Sequence, residues 1–142
     1  MQDRFRFRVW DIENDGMIYD AEFAYDTMTM RNGLLIGDGN TFQCDYFGEY
    51  LEEPEHYTVM QCTGLKDKNG TLIYEGDILK SYYENSDTGE TEFDYLPVGY
   101  DEEHAAFYTG RKYRVFICEG VFIPEEYEVA GNIYENKELL NG

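Results

Sequence analysis

Phe5, Phe7 and Val9 alternate with Arg4, Arg6 and Arg8 near the start of the chain. A period of two marks a strand with one buried and one solvated face, so the arginines are expected to share a side. Asn14-Asp15-Gly16 follows, and these residues tolerate the positive φ of a tight turn. Met17-Ile18-Tyr19 resumes the strand, which predicts a first hairpin. Asn32-Gly33 separates Met28-Thr29-Met30 from Leu34-Leu35-Ile36, a second hairpin signal. Thr41-Phe42-Gln43-Cys44 reads as a short strand, and residues 46–53 as a helical turn stopped by Pro54.

The middle of the chain is better punctuated. Thr58-Val59-Met60-Gln61-Cys62 predicts a strand, Asp67-Lys68-Asn69-Gly70 a turn, and Thr71-Leu72-Ile73-Tyr74 another strand. Glu75-Gly76-Asp77 then turns the chain into Ile78-Leu79-Lys80, with Gly supplying the kink and Asp bonding nearby amides. Residues 84–104 read as a long acidic loop containing Pro97, within a mobile acidic insertion over about 81–110. Strand character returns over 111–118 and 120–124, then over 129–134, and Glu138-Leu139-Leu140 ends the chain as a short helical tail. The expected core is Phe7, Val9, Ile18, Ile73, Ile78, Val115, Ile117 and Ile133. The pattern shows neither repeat nor linker, and predicts one mainly β domain over 1–142, with minor α, as a bent antiparallel sheet or small barrel.

Composition agrees with β structure and argues against disorder, because aromatics make up 17% of residues, 14 of them Tyr and 9 Phe. Charge changes the picture more. Thirty acidic residues stand against 11 Lys and Arg, a net charge of −19. Such a surface repels nucleic acid and anionic lipid and attracts basic partners. Residues 32–65 and 81–110 contain no Lys or Arg at all, whereas cations gather at Arg4, Arg6 and Arg8, at Lys66, Lys68 and Lys80, and at Arg111, Lys112 and Arg114. Cys44, Cys62 and Cys118 are odd in number and widely spaced, so reduced and mostly buried thiols are expected. With no apolar leader and no membrane-length apolar run, the expected location is cytoplasmic.

Chemistry-bearing constellations are sparse. His56 and His104 sit among Glu53, Glu55, Glu102 and Glu103, without the regular spacing that pre-organises metal ligands. Ser81 and Ser86 lie in no nucleophile elbow, and Gly37-Asp38-Gly39 puts an acid where a phosphate cradle needs a cation. Carboxylate pairs are too numerous for proximity to carry information. No enzyme activity, metal or cofactor is expected. One stretch differs, since Tyr82, Tyr83, Phe93, Tyr95 and Tyr100 interleave with the carboxylates of 84–103. Tyrosine offers large contact area at low entropic cost.

Phe7-Arg8-Val9-Trp10-Asp11 with Met17-Ile18-Tyr19 resembles the opening of YopX-type proteins encoded by phages and prophages. The resemblance runs on from Met60 through Thr63-Gly64-Leu65-Lys66-Asp67-Lys68-Asn69-Gly70 to Ile73-Tyr74-Glu75-Gly76-Asp77-Ile78-Leu79-Lys80, and closes at Gly131-Asn132-Ile133-Tyr134-Glu135-Asn136 with Glu138-Leu139-Leu140. Cys62 departs from an expected aromatic and Lys137 from an expected Pro. The resemblance covers about half the chain, finds no counterpart for 81–110, and implies a mainly β fold, a mobile-element origin and self-association, with no catalytic residues to carry over. The leading expectation is a non-enzymatic binding protein whose acidic face occupies a basic groove on a host nucleic-acid-binding or defence protein. Its candidate residues are Glu90, Glu92, Asp94, Tyr95, Tyr100, Asp101, Glu102 and Glu103. The alternative is a self-associating assembly factor, a homo-oligomer using Arg4, Arg6 and Arg8. Neither reading involves direct nucleic-acid or membrane binding.

Overall fold

Val9 is fully buried between Phe7, Ile18, Tyr57 and Val59, and around it the first group of strands assembles. The computed structural model describes residues 6–19, 35–36, 45–46, 54–118 and 120–141. Within these, chain contacts divide the protein into two units, 6–61 and 62–142. The fold is mainly β and antiparallel, with two short 3-10 helices as its only helical elements among the described residues. No helix among the described residues is long and apolar enough to cross a membrane.

In the first unit, β1 (Phe7–Asp11) lies between β2 (Gly16–Tyr19) and the first half of β5 (Tyr57–Lys66), with Val9 opposite both Ile18 and Val59. The predicted turn is present. Asp15 takes φ 49°, and Asp11 Oδ1 accepts the amides of Glu13 and Asn14 at 3.1 and 3.2 Å. The Asn14 side chain, donating to Asp11 Oδ2 at 2.8 Å, is the leading cause that holds the Asp11 carboxyl below its ordinary pKa. Of the arginines expected to share a side, Arg6 is exposed and Arg8 is not. Arg8 is only 3% exposed, and Arg8, Val9 and Trp10 are buried in succession because β1 is covered on both faces. β3 (Leu35–Ile36) pairs with β4 (Asp45–Tyr46). Arg4, Cys44, the 28–30 strand and the helical turn expected after Tyr46 lie outside the described residues.

In the second unit, Cys62 and Lys66 of β5 pair with Tyr74 and Leu72 of β6 (Leu72–Tyr74). A five-stranded antiparallel sheet follows, in the order β10-β9-β8-β7-β11. Its members are β7 (Asp77–Glu84), β8 (Thr91–Asp101), β9 (Ala106–Thr109), β10 (Val115–Phe116) and β11 (Tyr127–Asn132). Ile73, Leu79, Val98, Ile117, Phe122 and Tyr127 form its core, with Leu65, Leu96, Phe107 and Val129 packed against them. Of the expected core, Ile73, Ile78 and Ile117 are buried, whereas Val115 and Ile133 are half-buried.

Two acids build the turns that the sequence marks. Asp67, 5% exposed, accepts the amides of Asn69 and Thr71 on Oδ1 at 2.8 and 2.9 Å. Its Oδ2 reaches across to the Val129 amide at 2.8 Å, tying the turn to β11. Asp77 Oδ2 accepts the Tyr74 amide at 2.7 Å, and Gly76 at φ 86° makes the kink between β6 and β7.

The largest correction concerns 84–104. It is not a loop, because β8 is the longest strand among the described residues and runs through Pro97. The acids of that stretch hide a period-two pattern, Phe93 and Tyr95 on one side against Glu92 and Asp94 on the other. Strand character after 110 is shorter than expected. Only Val115–Phe116 pairs, residues 120–123 form no strand, and Pro124–Glu126 is a 3-10 turn. The predicted helical tail is the 3-10 helix Lys137–Asn141.

Candidate functional site

The β7–β8 hairpin carries most of the residues singled out in the sequence. Its turn is closed by the Asn85 amide donating to the Glu90 carbonyl at 2.8 Å and the Gly89 amide to the Asn85 carbonyl at 2.7 Å. Cross-strand register places Lys80 opposite Tyr95, Tyr82 opposite Phe93 and Tyr83 opposite Glu92. One face is therefore an aromatic and cationic ladder. The Phe93 and Tyr95 rings meet edge-on at 5.5 Å, Lys80 sits 4.1 Å above Phe93, and Lys68 sits 4.4 Å above Tyr82. The Tyr82 hydroxyl donates to Glu128 at 2.9 Å. The other face carries Tyr83, Glu92 and Asp94. Glu92 accepts from the Tyr83 hydroxyl at 3.1 Å and from Asn85 Nδ2 at 3.0 Å. Donation to Glu92 is the main reason the Tyr83 phenol is raised above its ordinary pKa. Tyr83, Phe93 and Tyr100 remain 43, 46 and 43% exposed, Phe93 on the face of the cations rather than that of Glu92 and Asp94.

The other end of β8 is built around Asp101. This carboxylate is 7% exposed and so is not available to a partner, which removes it from the expected binding set. Its Oδ1 accepts the amides of Glu103 and His104 at 3.0 and 3.2 Å, and its Oδ2 faces Arg114 Nη1 at 2.9 Å and His104 Nδ1 at 3.1 Å. Burial pushes the Asp101 carboxyl up, but hydrogen bonds from the His104 amide and ring and from Arg114 outweigh it and hold the group below its ordinary value. Arg114 also stacks 4.1 Å over the Tyr108 ring. Asp101, Glu103 and His104 offer three ligand atoms within 4.8 Å of one another, yet a guanidinium already neutralises the central carboxylate. This is an ion-paired turn. His56, by contrast, stands in the first unit with Nδ1 2.6 Å from Glu13.

The exposed carboxylates do not form one cluster. Glu90, Glu92 and Asp94 mark the hairpin end of β8, and Glu102 and Glu103 its far end. Nine residues of strand separate Glu92 from Asp101, roughly 30 Å at about 3.3 Å per residue. Of the cysteines, Cys62 is buried and its sulfur takes the Gly64 amide at 3.4 Å, whereas Cys118 is exposed, against the expectation for it.

A groove that the sequence reading did not assemble runs beside β8. Phe93, Asp94, Tyr95 and Leu96 line one side, the 110–113 loop the other, and Leu139 of the terminal 3-10 helix also lines it. Arg111 and Lys112 belong to a basic cluster visible in the sequence. Nothing local connects them to a strand 15 residues earlier, and only the β8–β9 pairing brings them there.

The YopX protein family model matches residues 6–141, and so runs through both units and through β7–β9. Among solved structures, the chain is similar to the crystal structure of protein EF1440 from Enterococcus faecalis. The two are 28% identical, with 95% of this chain and 96% of that one covered, at a TM-score of 0.50. No curated protein matches the chain. A match of this extent settles the family: the chain belongs to the YopX family.

Proposed function

We propose that this YopX-family protein is a non-enzymatic binding protein that engages a basic protein surface through the two acidic ends of β8. The observation that carries the reading is the segregation of charge. Residues 81–110 hold no Lys or Arg, while exposed Asp94 and half-exposed Glu92 lie on β8 and exposed Glu90, Glu102 and Glu103 just beyond its two ends. Tyr83 and Tyr100 supply contact area between them. A spacing of roughly 30 Å corresponds to about nine phosphates along one strand of duplex DNA. The target that fits is therefore the nucleic-acid groove of a host binding or defence protein, as expected of a phage- or prophage-encoded factor. The assembly reading loses support because Arg8, one of its three arginines, is buried.

The test is capture from host lysate at low and high salt, with mass spectrometry of the eluate, using the parent and a variant carrying Glu90→Gln, Glu92→Gln, Asp94→Asn, Glu102→Gln and Glu103→Gln. Each exposed pair contributes about 0.2–1 kcal/mol, so five together amount to about 1–5 kcal/mol, up to three decades in affinity. A partner retained equally by the variant, and equally at high salt, overturns the reading.

A further inference from the structure

We infer that the groove beside β8 is a docking site for an extended, acidic peptide segment of a partner protein, which adds to the sheet as a strand next to Phe93 and Tyr95. This site borders the acidic surface proposed above, sharing Asp94 with it, and is opposite to it in charge.

Pro97 fixes the direction of the backbone. It lacks an N–H yet stands mid-strand opposite Ile78, and its carbonyl accepts Thr109 Oγ1 at 3.1 Å and the Gly110 amide at 3.3 Å. Pro97 therefore turns its polar backbone edge away from β7 and toward β9. In an antiparallel ladder, alternate residues direct their N–H and C=O to the same side. Tyr95 and Phe93 accordingly present theirs on that side too. β9 pairs only from Val98 to Asp101, and no strand among the described residues covers 91–96 there. An open edge of this kind templates strand addition unless something blocks it.

Here the edge opens into a groove of about 530 Å³, within the usual range of about 300–1,000 Å³ for binding clefts. Its lining is apolar and aromatic at Phe93, Tyr95, Leu96 and Leu139, with Tyr113 77% exposed on the opposite wall.

The charge of the lining selects the occupant. In a chain of net charge −19, the groove sets Arg111 and Lys112 against one carboxylate, Asp94. Neither cation takes part in an ion pair among the described residues, whereas Lys68 and Arg114 do. Lys80, 4.1 Å above the Phe93 ring, adds a third positive charge next to the lining. Carboxylates on an incoming strand would meet these cations, its apolar residues the aromatic lining, and its backbone the open edge.

The test titrates the full chain with a blocked hexapeptide alternating Val and Glu, read by calorimetry and by amide shifts. Its counterpart alternating Val and Lys, and two forms N-methylated on one or the other set of alternate residues, complete the series. We expect the Glu peptide to shift the Phe93, Tyr95 and Lys112 amides and to bind at least tenfold tighter than the Lys peptide. One N-methylated form should lose binding and the other keep it, because an added strand gives only alternate N–H groups to β8. Arg111→Gln with Lys112→Gln, both exposed, should weaken the Glu peptide about tenfold with an unchanged far-ultraviolet spectrum. Absence of binding at millimolar peptide, equal or tighter binding of the Lys peptide, or equal behaviour of the two N-methylated forms overturns the proposal.

Discussion

Replacing Asp67 tests whether the turn and β11 are held by one carboxylate. Three amides converge on it, those of Asn69 and Thr71 on one oxygen and that of Val129 on the other, all at 2.8–2.9 Å. A hydrogen bond to a charged acceptor contributes about 1.5–3 kcal/mol when its loss leaves a buried donor, and an ordinary one about 0.5–1.5 kcal/mol. Val129 sits half-buried in β11, so its amide falls in the higher range. Asn69 and Thr71 are exposed, and water can replace their bonds. Asp67→Ala should therefore destabilise the protein by about 3–5 kcal/mol in urea unfolding at neutral pH. Asp67→Asn keeps one oxygen for the turn but sets its amide nitrogen against the Val129 N–H, a cost of about 1.5–3 kcal/mol. Hydrogen exchange should report the same asymmetry, with the Val129 amide losing protection in the Asn variant. A cost under about 1 kcal/mol for the Ala variant, or equal costs for the two, would refute the three-bond account.

Four further outcomes follow from single sites. Because the folded Asp101 carboxyl lies below its unfolded value of about 3.9, its contribution is complete above that pH and is lost as pH falls through the folded pKa. Arg114→Gln should move the Asp101 carbon-13 titration upward and weaken stability at neutral pH, with the difference from the parent vanishing once acid protonates Asp101. Glu92→Gln should lower the Tyr83 phenol toward its ordinary value, seen as an earlier alkaline absorbance change, because the acceptor that favours the neutral phenol loses its charge. Gly110→Ala should cost at least about 2 kcal/mol, since φ is +124° and a Cβ would overlap the Tyr113 carbonyl oxygen. Gly89→Ala, at φ +72° with open space around it, should cost only about 1 kcal/mol.

What the sequence determined by itself is what short-range chemistry controls. Asn14-Asp15-Gly16, Asp67-Lys68-Asn69-Gly70 and Glu75-Gly76-Asp77 all turn the chain where they are read to do so, because φ preference and side-chain-to-amide bonds act within four residues. The run from Met60 to Lys80, with the opening and closing motifs, also carried the family. Tertiary structure decided the rest. The 84–104 stretch looks like loop because its acids mask an alternation that means strand only once β7 and β9 lie beside it. Arg8 reads as a surface residue, yet its strand is covered on both faces. Asp101 is one acid among 30 in the sequence, and the return of Arg114, 13 residues later, makes it the buried acceptor of an ion pair rather than a surface charge. The groove too depends on long reach, joining Phe93 to Arg111 and Leu139. Contacts between residues far apart in sequence arise from strand pairing, which no local pattern encodes.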